Sequence, residues 1–134
     1  MISSGEGFML RLREALEASW GKDTSYMAAY QADNPSLGQC YPTCRVVQHF
    51  FPKTEIIKGT VRTGGQRDDI HFWNALPSGD DWYHIDMSWQ QFPSGAKVIE
   101  FAVLDRSNLN DSAATTARVS LLLERVRKHL AKHG

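Results

Sequence analysis

The chain has no surplus of charge of either sign: Lys+Arg and Asp+Glu both number 15, for a formal net charge of zero. Phosphate binding rests on a cationic surplus, so nucleic acid is not an expected partner. The cations that do cluster, Arg118, Arg125, Arg127, Lys128 and Lys132, stand beside Glu124 near the C-terminus and read as the solvated face of a helix. Long apolar runs are missing too. None approaches the ~20 residues of a membrane span. The start, Met1-Ile2-Ser3-Ser4-Gly5-Glu6-Gly7, has neither the basic nor the apolar segment of a secretory leader. These absences lead us to expect a soluble, cytoplasmic protein with no membrane partner.

Cysteine is scarce. Cys40 and Cys44 are the only two, one helical turn apart. A disulfide closed within one turn strains its own geometry, so both are expected to be reduced. Their spacing is not a paired zinc-knuckle pattern, and the histidines that might join them, His71 and His84, lie far off in sequence. No metal and no other cofactor is expected. Repeats and low-complexity tracts are also lacking, so nothing divides the chain. One domain over residues 1–134 is expected, with 42% apolar residues to fill its core.

What is present begins with helical spacing. Over residues 6–20, Phe8, Leu12, Ala15, Leu16 and Trp20 alternate with Arg11, Arg13, Glu14 and Glu17, the pattern of an amphipathic helix. Thr24 or Ser25 is placed to cap a short helix through Tyr26, Ala29 and Tyr30, and residues 32–38 are turn formers. A second helix is expected from Cys40 to Phe50, with Pro42 in its first turn and Pro52 ending it. The period then changes to two. Strands are expected over 55–61, 70–76, 82–87 and 97–104, with a charged loop at 62–69 that is either a lip over a cleft or an ordinary hairpin connection. A polar stretch at 105–116 precedes a closing helix over 117–130. Helices, then antiparallel strands, then a helix make the fold class α+β.

The chemistry sits in three places. Gly38-Gln39-Cys40 sets a thiol at the first turn of a helix, and His71 and Asp86 follow in that order. Thiol acyl transfer needs a nucleophilic sulfur, an imidazole that carries the proton and a carboxylate that orients the imidazole. The dipole and free N–H groups of a helix N-terminus favour a thiolate and can hold an oxyanion, as a neighbouring imidazolium also favours the thiolate. Gly38 lets backbone approach a substrate closely, and Gln39 is a candidate side-chain donor to the oxyanion. A hairpin turning about Ser78-Gly79 sets His71 opposite Asp86 and Trp73 opposite His84, with the nucleophile helix packed on that face. Trp73 and Trp89 flank this site and are candidates to line a cleft; Asn74 faces the other side of the sheet. His49, His129 and His133 read as structural or solvated.

Asn34-Pro35-Ser36-Leu37-Gly38-Gln39-Cys40, the Val46-Val47-Gln48 helix, His71-Phe72-Trp73-Asn74 and Ile85-Asp86-Met87-Ser88-Trp89-Gln90-Gln91-Phe92 resemble the YunG-like bacterial family, over roughly residues 20–95. That resemblance implies a fold and no reaction. The order of Cys40, His71, Asp86 and Trp89 also resembles the transglutaminase-like branch of the papain-like superfamily, although Tyr41-Pro42 after the cysteine departs from its pattern. This second resemblance implies a papain-like, transglutaminase-like fold with a Cys-His-Asp triad. It implies a cysteine hydrolase, deamidase or transamidase acting on a peptide, protein or small amide or ester. The alternative is a non-catalytic domain on the same fold that binds a peptide or small molecule. Substrate, acyl acceptor and oligomeric state are not written in the sequence.

Overall fold

The first helix forms where its apolar spacing requires. Leu12, Ala15 and Leu16 are fully buried, while Arg11, Arg13, Glu14 and Glu17 stay exposed on the other side. The computed structural model describes residues 4–105 and 110–133; residues 106–109 of the polar stretch expected at 105–116 lie outside the described residues. Among the described residues the order is α1 (Ser4–Ser19), α2 (Cys40–Phe50), β1 (Glu55–Thr63), β2 (Arg67–Ser78), β3 (Asp81–Ile85), β4 (Lys97–Val103) and α3 (Ala113–His133). The four strands form one antiparallel sheet in the order β3-β2-β1-β4. The α+β class is therefore borne out. None of these helices is long and apolar enough to cross a membrane.

The main core lies between the helices and one side of the sheet. It joins Leu12, Leu16 and Trp20 of the α1 end to Val46 and Val47 of α2, Leu122 and Val126 of α3, and Ile85 and Met87 beyond. Two polar ties fix α2 within it. The Trp20 indole N–H donates to Thr43 Oγ1 at 3.0 Å, and Asn74 Nδ2 donates to the Cys44 carbonyl at 3.1 Å. Asn74 thus faces α2, away from the His71 side of β2, and it holds that helix in place.

Several boundaries differ from expectation for identifiable reasons. The expected loop at 62–69 shrinks to Gly64–Gln66, because the ladder continues through Arg62↔Asp68 and Thr63↔Arg67. Arg62 grips Asp68 across the strands at 2.9 Å, so these charges solvate the end of a hairpin and do not mark a break. The closing helix starts at Ala113 because Ser112 Oγ accepts the Thr115 N–H at 3.1 Å and caps it. The short helix expected through Tyr26 becomes two 3₁₀ turns, with Met27 and Ala28 at φ 53° and 54°.

The β2–β3 register also differs. The ladder pairs Ser78 with Asp81 and Ala75 with His84, so the turn is Gly79-Asp80. A two-residue hairpin turn with glycine first takes a positive φ there, and Gly79 has φ 61°. The expected turn was one residue too early, which moves every pairing by two. Side-chain faces alternate with a period of two, so the displacement keeps His71, Trp73, His84 and Asp86 on one face. They meet diagonally and not directly opposite.

Gly59 of β1 pairs with His71, and the Trp73 indole lies across it. A Cβ at Gly59 would stand 2.4 Å from Trp73 Cη2. Gly59→Ala is therefore expected to destabilise the protein by ~1–3 kcal/mol through displacement of that ring. Thermal unfolding checks this; an unchanged midpoint would mean that Trp73 yields freely.

Candidate active site

The turn before α2 is held by its own chain. Gly38 sits at φ 79°, and its carbonyl accepts the Tyr26 N–H at 2.8 Å. A Cβ on Gly38 would lie 3.0 Å from Ala29 Cβ and 3.2 Å from Ser25 Cβ. Its close approach is thus to the 25–29 segment. Gln39 requires a correction. Its side chain is fully buried, with Oε1 accepting from Thr24 Oγ1 at 2.8 Å and Nε2 donating to the Gly21 carbonyl at 2.9 Å. Oε1 and one Nε2 N–H are thus engaged beneath the helix start, and Gln39 is not among the residues that line the cleft beside Cys40.

Cys40 is the first residue of α2 and lies half-buried, while Cys44, one turn on, is buried. Pro42 has no N–H, and the Thr43 N–H reaches the Gln39 carbonyl at 2.9 Å. That leaves the N–H groups of Cys40 and Tyr41 without an intrahelical acceptor. Both residues line a cleft of about 1160 Å³.

His71 Nε2 and Asp86 Oδ2 are 2.7 Å apart. A carboxylate only accepts, so Nε2 carries the proton of this bond. Nδ1 is buried and has no hydrogen-bond partner within the geometry of a formed bond. Cys40 nonetheless acts on the His71 ring both as a hydrogen-bonding neighbour and through charge. Burial pushes the imidazole down, but hydrogen bonds to Asp86 and Cys40 and their charges outweigh it, raising His71 from 6.5 to about 9. At neutral pH the ring is then an imidazolium with its second N–H available to the sulfur. Burial pushes the Cys44 thiol well up, so that sulfur stays protonated.

Asp86 lies just past the end of β3 and divides its two oxygens. Oδ2 serves His71, and Oδ1 accepts the Ser88 N–H at 3.1 Å, which starts the turn at Trp89–Gln91. That turn brings aromatic rings over the imidazole. Phe92 stands edge-on at 4.9 Å and Trp89 at 5.8 Å, while Trp73 stacks at 5.6 Å. Trp73 in turn donates its indole N–H to His84 Nδ1 at 2.9 Å, so His84 positions this ring. His71 itself has zero exposure.

Neither Trp73 nor Trp89 is among the residues that line the cleft; Phe92 takes that place, beside Phe72, Tyr41 and Tyr26. The body of α2 packs on the alternate face of β2, through Asn74 and through Phe72, whose ring is 5.1 Å from Tyr41, while Cys40 at its N-terminus reaches the His71 ring. A network that spacing does not reveal stands at the cleft wall: Tyr41 donates to Asp111 Oδ1 at 2.5 Å, and Arg45 Nε donates to Asp111 Oδ2 at 2.9 Å. Burial, then the Asp111 hydrogen bond, pushes the Tyr41 phenol up and keeps it a donor. Among the described residues, no group of three or more His, Cys, Asp or Glu is arranged to hold a metal ion.

A family model described as YunG protein matches residues 9–131. No curated protein and no solved structure matches the chain.

Proposed function

Taking as premise that the chain belongs to the YunG protein family, we propose that it is a cysteine-dependent acyl-transfer enzyme on a papain-like, transglutaminase-like fold. Cys40 is the nucleophile, His71 the proton carrier and Asp86 the group that orients it. One observation carries this reading. The Asp86 hydrogen bond occupies Nε2 of a fully buried imidazole and leaves Nδ1 unpartnered, with a cleft-lining thiol acting on the ring. A buried polar atom without a partner costs free energy, and such atoms concentrate where chemistry needs them.

The steps follow from these positions. The Cys40 thiolate attacks an amide or ester carbonyl, and the N–H groups of Cys40 and Tyr41 receive the developing oxyanion. The His71 imidazolium gives its Nδ1 proton to the leaving amine or alcohol, and a thioester remains. Water or an amine then attacks the thioester while His71 takes a proton from it. Hydrolysis, deamidation and transamidation differ only in the acceptor and the donor that enter the cleft.

The second reading is a non-catalytic binding domain on the same fold, and the zero exposure of His71 favours it. Iodoacetamide alkylation across pH, located by peptide mapping, separates the two. The enzyme reading expects Cys40 to react rapidly near pH 6 while buried Cys44 stays untouched. An ordinary thiol profile at Cys40 supports the binding domain instead.

A further inference from the structure

Resting on the acyl-transfer reading, we propose that Arg118 forms a subsite in the same cleft as Cys40 that takes a carboxylate. The acyl donor would then be an amide or ester with a carboxylate set apart from the reacting carbonyl. The charges in the cleft wall lead there. Among the described residues, its ionisable side chains other than Cys40 and the two tyrosines are Arg67, Asp69, Asp111 and Arg118. Arg67 pairs with Asp69 at 3.3 Å, and Asp111 is held by Arg45 and Tyr41. Arg118 has no carboxylate partner among the described residues.

Its guanidinium is nevertheless held in place. Nη2 donates to Thr115 Oγ1 at 3.0 Å, and the group lies over the Tyr26 ring, 5.5 Å from its centroid. Thr115 Oγ1 is itself bonded to Ser112 Oγ at 3.1 Å. Nε is buried with no hydrogen-bond partner. A planar cation, fixed on an aromatic face with a buried donor left over, matches the fork of a carboxylate. Tyr41, Phe72 and Phe92 give the same cleft aromatic walls suited to the body of a substrate.

The test uses iodoacetamides extended by alkyl chains of increasing length, each ending in a carboxylate or in the matching primary amide. Second-order rates at Cys40, assigned by peptide mapping, give a carboxylate-to-amide ratio for each length. The wild type is expected to favour the carboxylate by about tenfold or more at one chain length, the effect of one charge-assisted hydrogen bond. Arg118→Gln is expected to flatten the series, and Arg118→Lys to keep part of the preference. A wild-type ratio independent of length, or an unchanged series in Arg118→Gln, overturns the proposal. Slow alkylation by every reagent with the preference intact refutes the enzyme reading alone. Should Cys40 not react at all, thermal shift by benzoyl-glycine against its amide reads the subsite directly. A larger shift for the acid that is lost in Arg118→Gln supports the proposal, and equal shifts overturn it.

Discussion

Asp86→Asn and His71→Ala are each expected to slow alkylation of Cys40 about 10²-fold at pH 6. In the proposed reading the imidazolium beside Cys40 favours the reactive form of the sulfur, and each variant removes that help. The asparagine variant is informative because Asp86 uses both oxygens, one for the His71 N–H and one for the Ser88 N–H. An amide has only one acceptor, so one of these donors must lose its partner. The negative charge that holds the imidazolium is lost as well. The wild-type rate is expected to depend less on pH between 6 and 8 than the rate of either variant. Equal rates for wild type and variants at pH 6 would sink the triad.

The second large effect is on stability. His71 titrates at about 9 in the fold against 6.5 for the free group. Between those values the folded chain holds a proton that the unfolded chain has released. Stability contributed by His71 is thus fully present below about 6.5 and lost as pH rises through about 9. The shift corresponds to on the order of 3 kcal/mol. Above that window buried Cys44 adds a further decline, because its thiol stays neutral while the unfolded thiol ionises. Urea unfolding midpoints measured from pH 6 to 10 in a Cys40→Ala background, where no thiolate at position 40 offsets the proton that Asp86 holds on His71, check both parts. The slope between 6.5 and 9 is expected to flatten in His71→Ala, and the same slope in that variant would show that His71 is not its source.

Where local chemistry decides, the sequence was readable. Both ends of α2 were legible because Gly38 supplies the left-handed turn before it and Pro52 cannot continue it. The shared face of His71 and Asp86 survived a misplaced turn because the error was an even number of residues. Composition misled at 62–69, where charges that suggest a loop continue a solvated hairpin. It misled again at 113–116, where a serine cap outweighs a polar sequence. Tertiary contacts were out of reach. The Gln39 amide is drawn into the core by Gly21 and Thr24, and no spacing reports that. The meeting of Tyr41 with Asp111, 70 residues away, is equally silent in sequence. At Tyr26–Ala28, capture of the Tyr26 N–H by Gly38 competes with a helical pattern, and Met27 and Ala28 end in the left-handed region.

The zero exposure of His71 has a kinetic consequence. Roofed by Trp73, Trp89 and Phe92, the imidazole has no direct path to bulk water, so in the proposed cycle its protons travel by way of the thiol and whatever occupies the cleft. In that cycle the departing group and the acyl acceptor would share the cleft that Cys40 lines. A slow-leaving first product would then shield the thioester from hydrolysis, and a nucleophile already seated in the cleft would outcompete solvent. Partition between water and amine becomes a matter of traffic through that cleft, decided by occupancy more than by intrinsic reactivity.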